Sequence, residues 1–155
     1  SGGSVTRGND DFDSTLDTTN IFNTNEGTLY VETKEALFID EPANRNFIGL
    51  TETSSGNYFR FRGSSGVLYS QTVGWASIAS GPNDSAYRKY LFKWNATELK
   101  FYVNGTLLET ATPTTTFNPD EFRIGLAIST IVNIKQFLIF PDAISDADCI
   151  TLTTL

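Results

Sequence analysis

Arg88-Lys89-Tyr90-Leu91-Phe92-Lys93-Trp94-Asn95-Ala96-Thr97-Glu98-Leu99-Lys100-Phe101-Tyr102-Val103-Asn104-Gly105-Thr106-Leu107-Leu108 is the stretch that decides the fold. Tyr90, Phe92 and Trp94 alternate with Leu91 and Lys93, the period of two that gives a strand one apolar face. Asn95 to Glu98 carry turn chemistry, after which Leu99, Phe101 and Val103 alternate with Lys100 and Tyr102. Asn104-Gly105 follows at once. Asn-Gly suits the two positive-φ positions of a type I′ hairpin turn, so Thr106 to Thr110 is expected to return antiparallel. The three segments form a meander, with Phe92, Trp94, Phe101 and Val103 in the core.

The same rhythm extends in both directions. Thr28 to Thr33 places Leu29 and Val31 on one face and Tyr30 and Glu32 on the other. Segments 47–52, 57–62 and 67–72 follow, separated by Ser/Gly clusters at 54–56 and 63–66. Segments 122–126 and 134–140 supply two more strands. The second is apolar on both faces, so both are expected to be covered, and Pro141 ends it. Ser145-Asp146-Ala147-Asp148 has the form of a helix N-cap with an acid three residues on, which starts one short terminal helix. One short strand per ten or so residues belongs to sandwiches and barrels. The expected fold class is therefore all-β: an antiparallel two-sheet jelly-roll sandwich with one short C-terminal helix.

A chain of 155 residues, 12 of them Phe, is long enough for one buried core and short for two. Residues 1–4, Ser-Gly-Gly-Ser, read as a linker or cloning scar, leaving 5–155 as a single domain cut from a longer protein. Residues 5–25 are polar and acidic, a loop-rich entry with room for one short edge strand. The net charge of −7 offers no basic stripe for nucleic acid and no electrostatic attraction to an anionic membrane. No apolar run approaches the ~18 residues of a membrane-spanning helix. The lone Cys149 has no internal disulfide partner and sits in an apolar segment, which suggests a buried thiol.

Leu99-Lys100-Phe101-Tyr102-Val103-Asn104-Gly105 resembles the Leu-x-Phe/Leu-Tyr-Val-Asn-Gly strand of the laminin-G / concanavalin A-like superfamily. Ile134 to Phe140 followed by Ala143-Ile144-Ser145-Asp146 is similar to that superfamily's closing strand and turn. Phe122-Arg123-Ile124-Gly125 sits where such domains place a strand ending in Ile-Gly, Asn25 to Glu32 resembles their first core strand, and the resemblance covers about 25–152 of this chain. In its compactness and Asn/Thr richness the chain looks most like the versions carried by bacteriophage tail and other virion surface proteins, with bacterial adhesins a second setting. The resemblance implies a jelly roll with a concave face and a role in carbohydrate recognition. It also implies an extracellular or virion-surface location, a cell-surface glycan or polysaccharide as partner, and other chains of a parent appendage, a homotrimer included.

Catalytic chemistry is not visible. The chain has no His, which removes Ser-His-Asp and Cys-His machinery and His-based metal sites. Concanavalin-like glycosidases need two carboxylates at fixed separation on one strand; Glu32 and Glu35 are three apart and fall on opposite faces of a continuous strand. No cofactor is called for. Calcium would take loop oxygens, for which the candidates are Asp10, Asp11 and Asp13, then Asn83 with Asp84, then Asn118 with Asp120, each equally readable as a turn or strand cap. Asn95-Ala96-Thr97 and Asn104-Gly105-Thr106 match the glycosylation sequon but read better as turns.

The expected function is a non-catalytic carbohydrate-binding or host-recognition module. The alternatives are a structural or oligomerising virion module and a polysaccharide-binding adhesin domain. A sugar site needs a ring to stack on C–H faces and planar polar groups for hydroxyls. Along 57–62, alternation separates Phe59 and Phe61 from Tyr58, Arg60 and Arg62, which makes the latter three the candidate ligand face, with Trp75 as a loop-borne ring at its rim. The alternative for each is ordinary: a solvent face with ion-paired arginines, and a Trp plugging the end of the sandwich.

Overall fold

A computed structural model describes residues 16–17, 19, 21–22, 25–35, 46–54, 56–62, 68–70, 87–113, 115–124 and 132–155. Ten strands appear in chain order: β1 (Leu16–Asp17), β2 (Gly27–Glu35), β3 (Asn46–Glu52), β4 (Asn57–Arg62), β5 (Leu68–Ser70), β6 (Tyr87–Trp94), β7 (Leu99–Val103), β8 (Thr106–Ala111), β9 (Glu121–Ile124) and β10 (Val132–Phe140). A single helix among the described residues, α1 (Asp146–Thr153), closes the chain. The strands form two five-stranded sheets, sheet I in the order β1-β9-β3-β4-β5 and sheet II in the order β10-β2-β6-β7-β8. Every described pairing is antiparallel. This is the sandwich expected from the sequence. Each expected strand is found among the described residues, several with ends moved by a residue or two, while Val67, Gln71 and Thr72 of the segment 67–72 and Gly125 and Leu126 of the segment 122–126 lie outside the described residues.

The meander forms as its pattern dictates. Phe92 lies opposite Phe101 and Trp94 opposite Leu99. At the β6–β7 turn, the Asn95 carboxamide oxygen accepts hydrogen bonds from the backbone N–H groups of Thr97 and Glu98, each at 2.9 Å, so the first sequon match is an Asx turn. At the β7–β8 turn, Asn104 and Gly105 take φ of 47° and 78°, the left-handed values that a type I′ turn requires. Asn104 also accepts from the Lys89 N–H at 3.0 Å, fastening the turn to β6.

The core lies between the sheets. Leu29, Val31, Phe92, Trp94 and Phe101 of sheet II meet Leu50, Phe59 and Phe122 of sheet I, all of them buried. Val103 is half-buried and packs against this cluster. Gly27 is required here: a Cβ at this position would come within 2.5 Å of the Trp94 ring and 2.6 Å of the Phe22 ring. At the edge nearest β9 and β10, Phe122 stacks on Phe137 with centroids 5.4 Å apart, closing the seam between the sheets.

A second apolar cluster covers the outer face of sheet II. Tyr30, Leu91, Tyr102 and Cys149 pack with Leu138, Phe140, Ile144 and Leu152. This explains why β10 is apolar on both faces: one face meets the core and the other joins the cluster beneath α1. Ser145 caps the helix, its hydroxyl oxygen accepting from the Asp148 N–H at 3.2 Å. Ion pairs fasten the first turn of α1 to the sheet. Asp146 is paired with Lys93 and, at 2.7 Å, with Lys100, and Lys100 also reaches Glu98 at 3.1 Å. The two ammonium groups, Lys100 first, hold the Asp146 carboxyl well below the usual carboxylate range. Cys149 is buried, as its sequence context suggests, and desolvation pushes its thiol up to about 11.

Candidate functional site

α1 covers one side of sheet II, and the candidate positions on β4 belong instead to the outer face of sheet I. No strand or helix among the described residues packs across it. Its composition follows from register. Leu50, Phe59 and Phe122 point into the core, and Leu50 lies opposite both Phe59 and Phe122. The alternate positions of β3, β4 and β9 therefore belong to the outer face.

Two cross-strand rows result. In the first, Tyr69 of β5 is opposite Arg60 of β4, Arg60 is opposite Gly49 of β3, and Gly49 is opposite Arg123 of β9. In the second, Tyr58 is opposite Thr51, Thr51 is opposite Glu121, and Glu121 is opposite Asp17 of β1. Tyr58 is half-buried, and Gly49 and Thr51 are buried although they lie on the side of the sheet away from the core. The Thr51 hydroxyl oxygen is buried and makes no hydrogen bond within the protein, an arrangement that costs about 1–3 kcal/mol unless a ligand or solvent group satisfies it.

The sequence-derived candidates fall in three ways. Tyr58 and Arg60 take adjacent rows of this face, one in each. Arg62 occupies the last position of β4, opposite Asn46 and beyond a register shift in β3, on the same face by alternation. Trp75 lies outside the described residues. Thr51, Tyr69 and Arg123 carry no distinguishing signal in the sequence. Each sits in a strand whose own pattern looks ordinary, and only pairing with β4 through β3 brings them beside Tyr58 and Arg60.

Of the calcium candidates, Asp10, Asp11, Asp13, Asn83 and Asp84 lie outside the described residues. Asp120 is engaged with Thr53, accepting from its N–H at 2.9 Å and from its hydroxyl at 2.5 Å, while the Asp120 N–H donates to the Thr51 carbonyl at 3.0 Å. It thus acts as the strand cap between β3 and the start of β9. Among the described residues no cluster of three acidic or thiol side chains is placed to hold a metal ion. Glu32, half of the carboxylate pair with Glu35, is buried on sheet II and ion-paired with Lys135 at 2.6 Å. Desolvation and the nearby Glu32 push the Tyr30 phenol up to about 12.

The sequence matches no protein-family model and no curated protein. Solved structures share the fold. The CBM40 domain of the Ruminococcus gnavus intramolecular trans-sialidase, bound to α2,3-sialyllactose, is similar with a TM-score of 0.60 at 13% identity, over 92% of each chain. Domain 4 of AbnA, an extracellular arabinanase from Geobacillus stearothermophilus in complex with arabinotriose, gives 0.60 at 14% identity, covering 86% of this chain and 69% of that one. The receptor-binding domain of botulinum neurotoxin mosaic serotype C/D gives 0.68 at 15% identity, over 88% of this chain and 38% of that one. Identities this low show a shared β-sandwich fold.

Proposed function

We propose that this chain is a non-catalytic carbohydrate-binding module that meets its glycan on the outer face of sheet I. The observation that carries the reading is the buried Thr51 hydroxyl, which makes no hydrogen bond within the protein, on the face of sheet I where register places Tyr58 opposite Thr51 and Arg60 opposite Gly49. An amphipathic ring beside groups able to hydrogen-bond in a plane is what a sugar needs. The fold supports the same reading, since the domains it resembles include one bound to sialyllactose and one bound to arabinotriose. Arg62 extends the face toward the end of β4, and Trp75 is placed at its rim by the sequence alone.

The setting we propose is extracellular, on a surface appendage such as a phage tail, where such a module would recognise a host surface. This rests on the sequence resemblance. Glycan-array binding of the parent chain, compared with Tyr58→Ala and Arg60→Ala, tests the site. Loss of signal in both variants, with unchanged melting temperature, supports it. Equal binding by parent and variants would place the site elsewhere. An array without any bound glycan, together with self-association that buries Tyr58, would favour the structural module instead.

A further inference from the structure

The β7–β8 turn is held from two sides by groups that the fold brings to it from elsewhere. Asn104 and Gly105 take φ of 47° and 78°. The Asn104 side-chain oxygen accepts from the Lys89 N–H of β6 at 3.0 Å. The Gly105 N–H donates to the Thr153 hydroxyl oxygen at 3.1 Å. Thr153 belongs to the last turn of α1 and is fully buried. Its own hydroxyl donates to the Cys149 carbonyl at 2.7 Å, which fixes the oxygen as an acceptor for the turn. The packing is close. A Cβ on Gly105 would lie 2.9 Å from Thr154 Oγ1, and Lys89 Nζ reaches the Thr154 carbonyl at 2.7 Å. Asn followed by Gly is also the dipeptide most open to one covalent change, because no Cβ on the second residue shields its backbone nitrogen from the neighbouring carboxamide.

We propose that Asn104 is a deamidation site, and that α1 holds the reaction off while it is docked. In the reaction the Gly105 backbone nitrogen attacks Asn104 Cγ. The N–Cγ bond forms, the Cγ–Nδ2 bond breaks, and the amide nitrogen leaves as ammonia carrying the proton lost from Gly105. Water then opens the cyclic imide at one of its two carbonyls. Breaking the N–Cγ bond gives aspartate. Breaking the bond from that nitrogen to the Asn104 backbone carbonyl gives isoaspartate, whose main chain runs through Cγ. Both reacting groups are engaged in the folded protein: the carboxamide is tied to β6 by the Lys89 bond, and the Gly105 N–H that must be lost is tied to Thr153. Asn104 and Gly105 are also half-buried. Reaction therefore waits for a local opening that parts α1 from the turn. The two products differ in consequence. Aspartate keeps an oxygen to accept from Lys89, whereas isoaspartate adds a main-chain atom to a two-residue turn and shifts β8 against β7. None of this depends on whether the outer face of sheet I binds a glycan.

The test is ageing of the folded chain, the urea-unfolded chain and folded Thr153→Val at mildly alkaline pH, with aspartate and isoaspartate at position 104 counted by peptide mass spectrometry. The folded parent should react about tenfold or more slowly than the unfolded chain. Thr153→Val keeps the shape and removes the acceptor, so its Asn104 should react roughly three- to tenfold faster than the parent's, the worth of one hydrogen bond. Gly56→Ala strains the β3–β4 turn of the other sheet, where φ is 71°, and controls for general loss of stability: its Asn104 should react as slowly as the parent's. Hydrogen exchange at the Gly105 amide of the parent, which needs no variant, should be slowed by a similar factor. Equal rates in the folded parent and the unfolded chain would show that the fold gives no protection. An unchanged rate in Thr153→Val, or an equal rise in Gly56→Ala, would show that α1 is not the guard. An unfolded chain that keeps its amide at 104 would overturn the site itself.

Discussion

Phe59 of sheet I and Phe92 of sheet II stack with ring centroids 3.5 Å apart and planes inclined by 15°. The contact crosses the sandwich at its middle. It fixes the orientation of β4, since a residue that enters the core at 59 sends 58 and 60 to the outer face. Phe92 is in turn stacked on Trp94 at 5.4 Å and meets Phe117 edge-on at 6.4 Å. The outer face of sheet I is thus positioned by aromatic packing against sheet II.

Truncating this core should be costly. Phe101 is 2% exposed, and Phe101→Ala is expected to lose roughly 3–5 kcal/mol, a large share of the stability of an ordinary domain. Chemical denaturation monitored by circular dichroism measures it. A variant melting within a degree or two of the parent would contradict the pairing of Phe101 with Phe92.

Gly27→Ala should destabilise by about 1–3 kcal/mol through overpacking against rigid rings, because the added methyl falls inside the Trp94 and Phe22 rings. Gly105→Ala should cost about 1–2 kcal/mol mainly for a different reason, the positive φ of the hairpin turn, at 78°, with Thr154 Oγ1 also 2.9 Å from the added methyl. Exposed Gly56 has φ of 71° and open space around it, so Gly56→Ala probes the backbone cost free of crowding. Thermal melts of the three variants separate the two causes.

Acid should loosen α1 through Asp146. Its folded-state carboxyl is held below the usual value by Lys100 and Lys93. The stability it supplies is therefore fully present above the unfolded carboxyl value of about 3.9, and it is lost as the pH falls through the depressed folded value. Asp146→Asn should lower the melting temperature at neutral pH and flatten the decline of stability below about pH 4. Equal destabilisation of variant and parent across the acid range would remove Asp146 from that role. The aspartate is half exposed, so much of the effect should be screened by salt.

Cys149 should be unreactive in the native state. It is fully buried on the sheet-facing side of α1, and desolvation raises its thiol to about 11, so little thiolate exists near neutral pH. Labelling with a thiol reagent is expected only on unfolding. Rapid native labelling would show that α1 lifts from the sheet.

Strand periodicity, the Asn-Gly turn and the Ser145 cap are local signals, written within a few residues, and each appears in the structure where the sequence places it. Alternation along 57–62 likewise separates Tyr58 and Arg60 from Phe59 without any knowledge of pairing, because side-chain direction in a strand has a period of two. What the sequence could not supply was the neighbour across the sheet. β3 pairs with β9 across some 70 residues of chain, and nothing local to Arg123 or Thr51 marks them as companions of Arg60. Nor does the sequence say which sheet keeps its outer face. Lys93 looks like an ordinary solvent-side lysine between Phe92 and Trp94, yet it is 5% exposed, because the helix that begins at Asp146 folds over it. Local backbone preference determined the strands; long-range pairing and the docking of α1 decided which residues share a face and which face of sheet II is covered.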